Sequence, residues 1–90
     1  MKMRNVKHGQ IVVDKHGNEY EIFSIDRSTS MSVILKCTKF CHRIDVQEDN
    51  VGFRGVGQTF WVYKSKAAAR KDGCDVMNIL TVDSLKPKGE

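Results

Sequence analysis

No window of this sequence approaches the roughly 18 consecutive apolar residues that a helix needs to cross a bilayer, so no spanning helix and no membrane insertion are expected. Biased tracts are missing too. With 40% apolar and 29% charged residues, seven glycines and one proline, the composition is that of a folding chain, not a disordered one. The opening run from Met1 to Lys7 leads into no apolar stretch, so the expectation is a cytoplasmic protein without a secretory signal. Its three cysteines, Cys37, Cys41 and Cys74, are then free thiols, an odd number being unsuited to a disulfide framework. Repeats and linkers are absent, which predicts one small domain over residues 1–90, with 1–8 and 86–90 loose. A chain this short hides only about 60–65% of its unfolded surface on folding, so the core must be thin.

Catalytic signatures are equally scarce. His8 and His16 sit near a terminus and a turn, Ser28 to Ser32 carry no elbow motif, and Glu48 and Asp49 are neighbours in a polar stretch. No nucleophile is matched to a base, so the protein is not expected to be an enzyme or to carry a cofactor. The glycines of Gly52-Phe53-Arg54-Gly55-Val56-Gly57 precede a strand, whereas nucleotide-binding loops end at a helix N-terminus. Cys37, Cys41, His42 and Cys74 raise a zinc reading, but the two-residue knuckle spacing is missing, and adjacent strand positions such as Cys41 and His42 face opposite ways. Small buried hydrophobes are the expected role of these thiols.

What is present is strand patterning. Gln10–Asp14 and Glu19–Ile25 flank Lys15-His16-Gly17-Asn18, whose Gly and Asn tolerate positive φ, and this reads as a hairpin. In the second strand the apolar set moves from Tyr20 and Ile22 to Phe23 and Ile25, a change of phase that requires a bulge or a strong bend. Met31, Val33, Leu35 and Cys37 alternate with Ser32, Ile34, Lys36 and Thr38 as a half-buried strand, and Phe40, His42, Ile44 and Val46 predict a fourth strand paired with it through a tight connection at Thr38-Lys39. Gln58–Tyr63 is an aromatic strand. Ser65 then caps a short helix over 66–72 with Gly73 as its left-handed stop. Val76–Val82 reads as a last strand and Asp83–Pro87 as a terminal turn. The sum is a mainly β fold, an antiparallel barrel of five or six strands with one short helix in its C-terminal half; α+β is the alternative.

The stretch Gly9-Gln10-Ile11-Val12-Val13-Asp14-Lys15-His16-Gly17-Asn18-Glu19-Tyr20-Glu21-Ile22 resembles the opening hairpin of small SH3-like barrels of the KOW and Tudor kind. That resemblance implies binding of RNA, of ribosomal or polymerase components, or of peptide tails. Gly57–Tyr63 with Ser65 and the alanine-rich helix is similar to the third strand and second helix of an RNA-recognition motif, although the aromatic spacing differs and the early helix of that fold is missing.

Fifteen Lys and Arg against eleven Asp and Glu give a net charge of +4, which favours encounters with polyanions or acidic protein surfaces. Trp61 and Tyr63 share one strand face, opposite Phe60 and Val62. If the helix leaves that face open, Trp61 and Tyr63 form a platform for bases beside Lys64, Lys66, Arg70 and Lys71; if the helix packs on it, the platform is closed. Phe53 and Arg54 add a loop contact. Two partner classes fit: nucleic acid, or a host protein bound by a small phage or bacterial inhibitor or adaptor.

Overall fold

Asp14 organises the first hairpin. The computed structural model describes residues 1–26, 32–41, 44, 54–74 and 79–89, and within them β1 (Ile11–Val13) and β2 (Glu19–Ile25) run antiparallel with Val12 opposite Tyr20. Between them Asp14 Oδ1 accepts the backbone N–H groups of His16 and Asn18, each at 2.9 Å, while Oδ2 accepts Asn18 Nδ2 at 3.1 Å and the Tyr20 hydroxyl at 2.7 Å. A buried carboxylate is tolerated here because four donors replace its water. Gly17, at φ +82°, supplies the left-handed residue that the turn requires.

Beyond Ile22 the register of β2 against β3 (Val33–Cys37) slips by one residue: Ile22 faces Leu35, Ser24 faces Ile34 and Phe23 has no partner. This is the bulge that the change of phase called for. It returns Ile25 to the core and leaves Phe23 outside, 44% exposed. β4 (Thr59–Val62) then pairs with β3, placing Phe60 opposite Leu35 and Trp61 opposite Ile34. Tyr20, Ile22, Val33, Leu35, Cys37 and Val62 fill the inner core, with Phe60 set edge-on to Tyr20 at a ring separation of 5.6 Å.

Ser65 Oγ accepts the Ala68 N–H and starts α1 (Lys66–Lys71), and Gly73 at φ +87° follows its end, as the sequence predicts. Two other expectations fail. β3 takes β4, not the 40–47 segment, as its second neighbour, and Cys41 forms an antiparallel bridge with Arg54 instead; residues 42, 43 and 45–47 of that predicted strand lie outside the described residues. The long strand predicted over 76–82 is not formed at Ile79–Leu80, while 76–78 lie outside the described residues. Ser84 Oγ donates to the Thr81 carbonyl at 2.7 Å and accepts the Thr81 N–H at 3.3 Å, and these local bonds wind Val82–Ser84 into a 3-10 turn. The fifth strand is β5 (Lys86–Pro87), in the segment expected to be a terminal turn; it pairs with β1, and Pro87 is acceptable there because β5 is an edge.

Among the described residues the result is one antiparallel five-stranded sheet, in the order β4-β3-β2-β1-β5, with one short helix. Its edge strands are not hydrogen-bonded to each other, so the sheet is open where a barrel was expected. Leu80, Val82 and Leu85, from the connection into β5, join the inner core. Met1 and Lys88 are both tied into this arrangement: the Met1 ammonium donates to the carbonyls of Asp83 and Leu85, and Lys88 Nζ reaches Glu19 Oε1 at 2.7 Å. The hydrogen bonds from Lys88 and then Thr38 hold the Glu19 carboxyl below its ordinary range.

Candidate interface on the outer sheet face

Alternation along β3 and β4 turns Ile34, Trp61 and Tyr63 away from the inner core, and α1 lands on that outer side. Ala69, with no side chain beyond Cβ, lets the helix approach closely, and Tyr63, Ala69 and Ile79 form a second small core flanked by Trp61 and Cys74. Tyr63 is only 6% exposed, stacks edge-on to Trp61 at 4.9 Å, and donates its hydroxyl to Asp72 Oδ2 at 2.6 Å. Of the two alternatives for this face, the helix therefore takes the closed one. Trp61 stays half-buried and Tyr63 is closed off.

The predicted cations divide. Lys66, Arg70 and Lys71 are exposed on α1, and Lys64 is half-buried at the end of β4. Lys64 and Lys71 line an open concavity of about 670 Å³ together with Ser65, Ala67, Ala68 and Asp72. Lys66 instead borders a smaller one, of about 110 Å³, beside Lys15 and His16 of the first turn. Arg54 is not grouped with them: its backbone pairs with Cys41 and its guanidinium lies 5.8 Å from the Phe60 ring centroid. Phe53 lies outside the described residues.

The chain has no significant match among known protein families, curated proteins or solved structures.

Cys37 and Cys41 are buried in the inner core, whereas Cys74 borders the second core on the other side of the sheet, so the two sets cannot share an ion. His42 lies outside the described residues. Among the described residues no three His, Cys, Asp or Glu side chains converge, and no helix is long and apolar enough to cross a membrane. Burial, and after it the hydrogen bond to Cys41, pushes the Cys37 thiol up to about 12. Burial and Asp14 likewise push the Tyr20 phenol up.

These shifts have a consequence in alkali. An unfolded thiol ionises from its ordinary value near 9 while the folded one stays neutral, so the stability present below that pH is lost progressively as pH rises toward 12. The urea midpoint is expected to fall between about pH 8 and pH 10.5, and less steeply in a Cys37→Val variant. A midpoint that holds level across this range refutes the prediction.

Sequence reasoning missed a further feature of this face. Phe23 and Ile34, 44% and 36% exposed, continue the apolar row from Trp61 across β3 and β2. The signal was available in the phase change of β2 and in Ile34 standing at a position that otherwise alternates polar.

Proposed function

We propose that the protein is a non-enzymatic, cytoplasmic binding module that holds RNA or DNA by its phosphates, through the cations at and before α1. The observation that carries this reading is a six-residue helix composed of three cations and three alanines, seated by Ala69 so that Lys66, Arg70 and Lys71 stand in solvent with Lys64 beside them. With Tyr63 covered, base stacking contributes little. Binding should be governed by counterion release, with weak sequence preference. The bulge in β2 and the return of β5 to β1 support reading the sheet as an SH3-like fold whose outer edges stay apart.

Fluorescence anisotropy with labelled single-stranded RNA and duplex DNA tests the proposal. Three or four phosphate contacts give a slope of about −3 in log affinity against log salt, or roughly a sixtyfold loss between about 50 and 200 mM. The triple variant Lys66→Gln, Arg70→Gln, Lys71→Gln should lose most of the affinity and the slope while its stability changes by less than about 0.5 kcal/mol, since all three side chains are exposed. Absence of binding to either nucleic acid at about 50 mM salt sinks the reading.

The apolar row of Phe23, Ile34 and Trp61 supports a second reading, a small phage or bacterial adaptor or inhibitor that docks on a host protein. A partner retained after nuclease treatment, and lost with Phe23→Ser, would favour it over nucleic acid.

A further inference from the structure

Between α1 and the ends of β2 and β3 nearest to it, the outer face carries a groove of about 360 Å³. Ile34, Trp61 and Tyr63 give it apolar and aromatic surface, and the carboxylates of Asp26 and Asp72 border it in solvent. Ser24 and Ser32 also line it, and among the described residues no lysine or arginine does. In a chain of net charge +4, the described residues make this a locally acidic, aromatic spot. The Tyr63 hydroxyl bonds one oxygen of Asp72 and so anchors that carboxylate at the groove.

We propose that this groove seats an arginine side chain of a protein partner, with the guanidinium against Trp61 and between Asp26 and Asp72, and the methylenes along Ile34. The inference rests on the protein-docking reading above. An indole is the aromatic ring that attracts a cation most strongly, and a planar guanidinium can stack on it while its edge donates to carboxylates. The same face already does this once with its own residues: Lys36 Nζ lies 5.7 Å from the centroid of Phe23, the exposed ring two strands away. Phe23 and Ile34 extend the surface on which residues flanking the arginine would lie.

Trp61 is the sole tryptophan, so the groove reports on itself. The intact protein is titrated at low salt with the capped tripeptide Ala-Arg-Ala and with the same peptide carrying citrulline, a neutral isostere, following Trp61 emission and the indole N–H resonance. Saturable changes at millimolar peptide are expected, with citrulline binding roughly tenfold more weakly. The double variant Asp26→Asn, Asp72→Asn, which keeps an acceptor for Tyr63, should weaken the arginine peptide by about the same factor with an unchanged circular dichroism spectrum. Equal binding of the two peptides, or no saturation by about 10 mM, overturns the proposal; if the double variant unfolds, the comparison on the natural chain decides alone. Should the arginine peptide fail while Phe23→Ser still abolishes a nuclease-resistant partner, the arginine seat falls and the docking reading stands. Should the peptide discriminate while no such partner is retained, the seat stands and the docking reading loses its support.

Discussion

Replacing Asp14 with alanine is expected to destabilise the fold by about 3–5 kcal/mol, because a buried donor left without its acceptor costs about 1–3 kcal/mol and this side chain serves several. The hydroxyl of Tyr20 and the amide of Asn18 are both buried and lose their partner together, whereas the His16 N–H lies in an exposed turn and finds water. Tyr20→Phe should cost only about 1 kcal/mol, since Asp14 keeps its other donors. In the double variant the loss should be smaller than the sum, because removing both partners leaves no phenol unsatisfied. Urea unfolding followed by Trp61 emission measures all three. An Asp14→Ala protein within about 1 kcal/mol of the parent would show that the turn does not depend on the carboxylate.

Leu35→Ala, one strand pair away, should cost about 3 kcal/mol or more, as buried leucines do when cut back to a methyl group. Leu35 is fully buried between Ile22 of β2 and Phe60 of β4. A chain of this length commands on the order of 5–13 kcal/mol in total, so the loss is severe. Ile34→Ala, at the adjacent position but on the outer face, should cost under about 1 kcal/mol. The contrast tests the facing of β3 directly: equal losses at Ile34 and Leu35 would mean that both sides of the strand are enclosed.

Local chemistry was readable where a few neighbouring residues decide the outcome. His16-Gly17-Asn18 marks its turn, the displaced apolar phase around Phe23 marks the bulge, and Ser65 with Gly73 brackets α1. Pairing partners were not readable in the same way. Phe40 to Val46 alternates well enough for a strand, yet the place beside β3 belongs to Thr59–Val62, whose aromatic and β-branched side chains fill both sides of the sheet. Val76 to Val82 shows high β-propensity, but the hydroxyls of Thr81 and Ser84 bond to nearby backbone and side chains and turn the chain first. A strand of two residues such as β5 has no periodicity to detect. Of the candidate site, the exposure of Lys66, Arg70 and Lys71 followed from the helix pattern, whereas the covering of Tyr63 depends on which side of the sheet the helix folds over, which no local signal encodes. The groove escaped for a related reason: Asp26 and Asp72 are 46 positions apart and meet only through folding.

β4 is a party wall. Four residues long, it lends Phe60 and Val62 to one core and Trp61 to the other, and Tyr63 follows directly. Neither compartment can loosen without disturbing the backbone they share. Whatever grips the outer surface should therefore slow amide exchange in Val33 and Leu35 and raise the melting temperature, although it touches neither residue. A simple thermal-shift screen is thus a sensitive way to find the natural ligand of this fold.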